Sequence, residues 1–409
     1  MTSIMTSIIA LLFSAAVMLV GHGLQLTLAP LYANSLGWSD TVIGFMGSTY
    51  FGGFVIGCLT IPHLVAQVGH IRVYTVLIAL ATTALLLLGL VQEPMIWYLA
   101  RMVTGWSLAG LYMIIESWLN ERSPSAQRAR VLSVYTIITL IAICAGQLLV
   151  GLKMNYLQMI LLAAIFLALG TIPVGLTRSP PPSPIPPVSF SLAAVYRASH
   201  IAVLGAFAGG LVTAGFWSLG PIMALAQGIA VEDIGLFMSV TILGGAVFQF
   251  PLGRLSDQRD RRLVLMLIAL TGALVCALSL LITLPENQKM IYLLMFLFGG
   301  LTFPLYSLCL AHANDNTDLG IMSIASVILL VHSAGAVIGP MAVALLLKIT
   351  GLGLFVFSAV ILTGFACITG WRLYRHPAER AYYEPWVGIP RTTHEVTEFM
   401  EDSEPSTPQ

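Results

Sequence analysis

The chain has 409 residues, of which 58% are hydrophobic and only 9% charged, with a formal net charge of zero. A soluble domain carries about 25% charged residues, so this chain lacks the polar surface that contact with water on all sides requires. Zero net charge also gives no bulk attraction to nucleic acid, and the expected surrounding is a lipid bilayer.

Apolar runs recur from end to end, each near the ~20 residues that a helix needs to cross ~30 Å of hydrocarbon. In chain order they predict spans over 7–33, 41–66, 73–92, 95–120, 131–152 and 156–177. No basic residue precedes the first run, which therefore reads as a retained span and not a cleaved signal. The next segment, 178–199, contains SPPPSPIPP. Consecutive prolines remove backbone donors and favour extended chain, as in a linker. Six more spans are predicted over 200–226, 234–253, 263–284, 290–312, 319–347 and 352–371, and the polar, acidic residues 375–409 read as a cytoplasmic tail. The expected fold is an all-α polytopic membrane protein. It has an N-terminal bundle at 1–177, a cytoplasmic linker at 178–199, a C-terminal bundle at 200–374 and a tail at 375–409.

Basic residues set the expected orientation. Arg72, Arg122, Arg128, Arg130, Arg178, Arg197, Arg254, Arg259, Arg261, Arg262, Arg372, Arg375, Arg380 and Arg391 fall in one set of loops and the tail, whereas the other span ends hold only Lys153, Lys289 and Lys348. That asymmetry places both termini in the cytoplasm. The five cysteines (Cys58, Cys144, Cys276, Cys309, Cys367) lie inside apolar runs without metal-ligand or disulfide spacing, so neither a metal nor a cofactor is expected.

The two halves repeat each other. Pro30, Gly37, Ile43, Gly44 and Ser48 recur in order as Pro221, Gly228, Ile234, Gly235 and Ser239. Tyr98, Gly105, Leu111, Tyr112 and Asn120 recur as Tyr292, Gly299, Leu305, Tyr306 and Asn314. Six spans per half put both copies in the same orientation, the parallel-repeat design of rocking transporters with a site between the halves.

Charge concentrates in GRLSDQRDRR, Gly253 to Arg262, expected to be the cytoplasmic loop after the eighth span. It resembles the loop signature G-x-L-[AS]-D-[RK]-x-G-R-[RK] of the major facilitator superfamily, met by Gly253, Leu255, Ser256, Asp257, Arg261 and Arg262, with Gln258 and Asp260 departing from it. The first-half copy, PHLVAQVGHIR, keeps Gly69 and Arg72 but has Ala66 at the aspartate position. The resemblance covers the whole chain, and QFPLGRLSD, VGHIR, IIESWLNERSP and RARVLSVY resemble the YcaD-like branch. The loop reads as a conformational latch. Gly253 would let helices approach closely, Asp257 would accept from free N–H groups at the start of the eleventh span, and Arg261 and Arg262 would hold the carboxylate. The competing reading is a topogenic basic loop without a switching role.

The resemblance implies a central cavity lined by spans 1, 4, 7 and 10. Arg101 opens RMVTG, which resembles the family's R-x-x-x-G pattern, and shares a helical face with Gly105, Leu108 and Tyr112. It reads as a cavity cation for an anionic group or a proton site, against a backbone cap within the first bundle. Glu116 continues the stripe, either as a proton carrier or as a structural acid paired with His70 or Arg72. His22, with Gln25 one turn on, and His332 are intramembrane polar groups that either carry protons or bond helices together. Trp217, Phe303 and Tyr306 stand ready to stack on substrate or to pack the core. Gln147, in AGQLLVG, replaces the proline that antiporters of the family carry there, which argues against a drug exporter.

No HExxH, P-loop or nucleophile elbow occurs, so the chain is not expected to be an enzyme and transport must run on an existing gradient. The expectation is a monomeric secondary transporter of the inner or plasma membrane, moving a small-molecule substrate with protons. An uncoupled facilitator and a transporter-like ligand sensor remain open alternatives.

Overall fold

The computed structural model describes residues 2–123, 125–176, 192–281, 288–316 and 321–375. Twelve helices in it are long and apolar enough to cross a membrane. In chain order they are α1 (Ile8–Ser35), α2 (Asp40–Val68), α3 (His70–Leu90), α4 (Pro94–Arg122), α5 (Arg130–Gly151), α6 (Tyr156–Gly175), α7 (His200–Ala226), α8 (Val231–Gln258), α9 (Arg261–Ser279), α10 (Gln288–Asn314), α11 (Ile324–Thr350) and α12 (Gly353–Arg375). The proline run and the acidic tail lie outside the described residues, but the end of the expected linker forms a short helix, Leu192–Ala198. Outward-facing side chains such as Phe13, Leu99, Ile141, Leu161, Leu270 and Val360 remain exposed, as a lipid-facing belt requires.

Local sequence explains the irregularities. α10 breaks between Gln288–Thr302 and Leu305–Asn314, where Pro304 has no N–H to donate. The last turn of α5, Leu149–Gly151, tightens to a 3₁₀ helix. The charged stretch is not the loop its composition suggests. α8 continues through Gln258, so Asp257 sits on a helical turn, and only Arg259 and Asp260 separate α8 from α9. Apolar run length marks where hydrocarbon ends, whereas the helix continues past that level.

The helices form two six-helix bundles. In the first, α1 packs on α5 and α6, α2 on α4, and α3 on α4 and α6. In the second, α7 packs on α11, α12 and α10, α8 on α10, and α9 on α12. The pseudo-symmetry extends to individual crossings. A Cβ at Gly53 would lie 1.9 Å from the Met102 carbonyl oxygen, and at Gly244 1.9 Å from that of Phe296. Gly105 on Tyr50 and Gly299 on Thr241 repeat the arrangement, again at 1.9 Å. Gly146 on Val20 and Gly339 on Leu211 follow at 2.1 and 2.2 Å. No side chain fits at these points, so helices meet backbone to backbone, the small-residue packing that replaces hydrophobic drive inside a membrane.

Between the bundles, α2 packs on α11 and α7, α5 on α8, and α1 on α7. We call the face from which α1 departs the proximal face, and the opposite one distal. Gly44 meets Pro340 and Ala344, Gly47 meets Ser218 and Pro340, and Gly235 meets the Gln147 carbonyl. By helix direction all three contacts lie toward the distal ends, so the halves are closed together there.

Candidate functional site

A cavity of about 250 Å³ lies between the bundles. Its wall takes residues from α1, α2, α4, α5, α7, α8, α10 and α11. Thr136, Gln249, Ser307 and Leu329 carry the wall toward the proximal ends of their helices, whereas the glycine contacts cap the distal side.

Of the residues singled out from sequence, His22, Tyr112, Trp217, Phe303, Tyr306 and His332 line this cavity. Trp217 stacks on Phe303 with ring centroids 5.9 Å apart and planes 21° apart. Phe303 lies against Gly245, where a Cβ would come within 2.6 Å of its ring. Tyr306 meets His332 edge-on at 5.0 Å, and His332 Nδ1 is 3.1 Å from the Ala206 carbonyl oxygen of α7. His332 thus both faces the cavity and joins α11 to α7.

Arg101, Gln25 and Glu116 are buried but are not on the cavity wall. Arg101 lies over the Tyr50 ring, its Cζ 4.4 Å from the ring centre. Its Nε and Nη1 make no hydrogen bond to protein among the described residues. The ring's electron-rich face therefore contributes to stabilising a cation buried in a low dielectric. Tyr50 also stacks with His22, with 6.1 Å between ring centroids, and its hydroxyl is 3.4 Å from His22 Nε2. Tyr50 thus contacts both Arg101 and His22. Glu116 lies one turn beyond Tyr112 on α4 and is buried. Gln147 is fully buried, and its Oε1 accepts from the Thr27 hydroxyl, joining α5 to α1.

Sequence reasoning missed Tyr50, Phe51, Phe54, Tyr135 and Gln249, which also line the cavity. They lie on α2, α5 and α8, helices outside the set of four on which it concentrated. The aromatic cluster STYFGGF in an otherwise aliphatic stretch was the available signal.

The charged cluster lies at the proximal face. Arg261 is buried, its Nη1 donating to Asp257 Oδ1 at 3.1 Å and to Ser256 Oγ at 3.0 Å, while its Nε donates to Asp315 at the end of α10. Arg262 binds Asp260 instead, through Nη2–Oδ2 at 2.8 Å. Asp260, a departure from the family signature, caps α9 by accepting from the Arg262 backbone N–H at 2.9 Å. Burial pushes its carboxyl upward, but the hydrogen bonds from Arg262 outweigh this and hold it below the usual carboxylate range. Gly69 turns the chain between α2 and α3 at φ 91°, and Arg72 beside it is exposed. The expected partner of Asp257, the start of the eleventh span, falls partly outside the described residues. α11 belongs to the same bundle as the charged cluster, so contact there would not bridge the halves, whereas α5 packs on α8 from the other bundle.

Two parallel bundle copies around a central aromatic cavity define a membrane transporter of the duplicated twelve-helix class. The Major Facilitator Superfamily model matches residues 11–328 and 202–400, and the chain belongs to that family. It is 28% identical over 354 residues to an Escherichia fergusonii protein described as an uncharacterized MFS-type transporter YcaD, covering 82% of this chain and 90% of the relative. The Salmonella arizonae protein of the same description is 26% identical over 330 residues, covering 79% and 84%. Among solved structures, a bacterial homolog of the human lysosomal transporter Spinster, inward-facing and unoccupied, aligns with a TM-score of 0.72 at 13% identity, over 93% of this chain and 99% of that one. The nucleoside transporter NupG aligns with a TM-score of 0.73 at 13% identity, over 90% and 98%.

Proposed function

We propose that the protein is a secondary transporter that moves a small solute by alternating access, with the conformation described here open toward the cytoplasm. The observation that carries this reading is the placement of one cavity between two bundle copies. Its wall runs toward the proximal face and is capped distally by the contacts of Gly44, Gly47 and Gly235. Arginine-rich proximal span ends favour the cytoplasm for that face and for both termini, in an inner or plasma membrane. The bundles are the rocking units, at 1–177 and 200–374, joined by the linker at 178–199, with the tail at 375–409; a single chain supplies the whole pathway.

Proton coupling is the favoured mode. His22 and His332 reach the cavity from opposite bundles, and imidazole is a side chain able both to accept and to donate a proton. The cluster of Gly253, Asp257, Arg261 and Arg262, with its relic at Gly69 and Arg72, acts as the proximal latch. In this conformation it braces α8, α9 and α10 of one bundle. An uncoupled facilitator is the second reading, favoured by the lack of a carboxylate among the described cavity-lining residues.

The test is uptake of a labelled solute panel into proteoliposomes, with and without an imposed pH gradient. Accumulation that needs the gradient supports coupled transport, and equilibration unaffected by it supports the facilitator. A solute that binds yet never crosses would overturn both in favour of a sensor.

A further inference from the structure

We infer that the cavity is built for an uncharged solute carrying a planar aromatic ring; this rests on the transport reading above and specifies its substrate class. Three observations carry the inference.

The first is the charge inventory. Among the described residues, no Asp, Glu, Lys or Arg lines the cavity. A carboxylate or ammonium entering it would leave water without a permanently charged partner on the wall, and desolvation of an unpaired charge outweighs most other contacts.

The second is where the nearby cation has been put. Arg101 is 5% exposed, is absent from the cavity wall and lies 4.4 Å from the ring centre of Tyr50, itself a wall residue. A guanidinium off the wall offers an entering anion no direct hydrogen bond. The same positive charge close to the wall disfavours an ammonium beside Tyr50. Both charged classes are handicapped by one arrangement.

The third is the ring geometry. Trp217 and Phe303 form a near-parallel stack, with Phe303 seated on Gly245, and Tyr306 meets His332 edge-on. Together with Tyr50 over His22, they bring rings to the cavity from both bundles. Aromatic faces and edges select a planar partner by offset stacking or T-contacts. Ser333 and Gln249 add neutral hydrogen-bonding groups that orient a solute without charge.

The test is thermal unfolding of the detergent-purified full chain with matched triplets on one ring, namely benzamide, benzoate and benzylamine, and indole-3-acetamide, indole-3-acetate and tryptamine. A solute that binds the native state raises the melting temperature. The expected result is a shift with the amides, and none with the charged members at the same concentration. Trp217→Ala should weaken amide binding about tenfold, equivalent to about 1.4 kcal/mol, and Phe303→Leu serves as the second variant should Trp217→Ala fail to fold. Tighter binding of a carboxylate or ammonium member than of its amide would overturn the inference. So would amide binding indifferent to both ring variants, or no shift with any amide. Flux separates this inference from the reading beneath it. An amide that binds but is not moved refutes transport and leaves the solute class standing, whereas a charged solute that is moved refutes the solute class and leaves transport standing.

Discussion

At the scale of single residues, Tyr50 matters most because it meets both Arg101 and His22. The Arg101 guanidinium lies over its ring and His22 stacks with it, while its hydroxyl lies 3.4 Å from His22 Nε2. The two contacts can be separated by mutation. Tyr50→Leu removes the ring and leaves a buried cation without its aromatic face, which should cost about 2 kcal/mol, the scale of a desolvated cation–π contact. Tyr50→Phe keeps the ring and loses only a long hydrogen bond, which should cost less than about 1 kcal/mol. Denaturation of both variants in the same detergent checks this. Equal losses would show that the ring does not stabilise Arg101. Arg101 was legible in the sequence as a costly intramembrane charge, but its contact with a tyrosine ring was not. That ring comes from α2, about fifty residues away in the chain, and a helical-face argument on α4 alone carries no information about what crosses it.

At the scale of elements, the distal closure is made by small residues on α2 that meet α11 and α7. A Cβ at Gly44 would lie 2.6 Å from the Ala344 Cβ and 2.8 Å from the Pro340 carbonyl oxygen. Gly44→Val should therefore act as a wedge. It cannot be relieved by a flexible side chain, because one of the opposing atoms is backbone. It lies at a contact between bundles, so the bundles can part there without unfolding. The expected outcome is a shift toward the distally open conformation, read as severalfold faster maleimide labelling of Ser218→Cys in a background without the five native cysteines. Unchanged labelling with intact folding would mean that the glycine contacts do not hold the distal face shut. Helix number and approximate span positions were legible because hydrocarbon thickness imposes a length on every apolar run. The duplication was legible because its glycines cannot be replaced where backbones touch, as Gly105 and Gly299 illustrate. The end of α8 was not, since charge at a membrane surface marks the end of hydrocarbon and not the end of hydrogen bonding. Asp257 and Arg261 looked like loop residues for that reason, but Asp257 lies in the last turn of α8 and Arg261 in the first turn of α9, and their contact at 3.1 Å joins the two helices across the break.

At the scale of the whole molecule, orientation and openness are two separate properties, and one labelling experiment can resolve both. Arg72 is exposed at the proximal face and lies outside the cavity. Arg72→Cys therefore reports only which side of the membrane that face occupies. Ser333 lines the cavity, so Ser333→Cys reports which side the cavity can be reached from. With arginines concentrated at the proximal ends, an impermeant thiol reagent should reach Arg72→Cys in inside-out vesicles and fail to reach it in right-side-out vesicles. Ser333→Cys should follow the same pattern while the distal contacts hold, with labelling at least severalfold faster from the inside. If both variants were reversed, the orientation would be wrong and the closed face would still be the one described. If Arg72→Cys behaved as expected and Ser333→Cys were reversed, the orientation would stand and the resting conformation in the membrane would be the opposite one. Adding a bound solute then tests the mechanism. A ligand with equal affinity for both conformations leaves the Ser333→Cys rate unchanged, and only one that binds the two differently can move it.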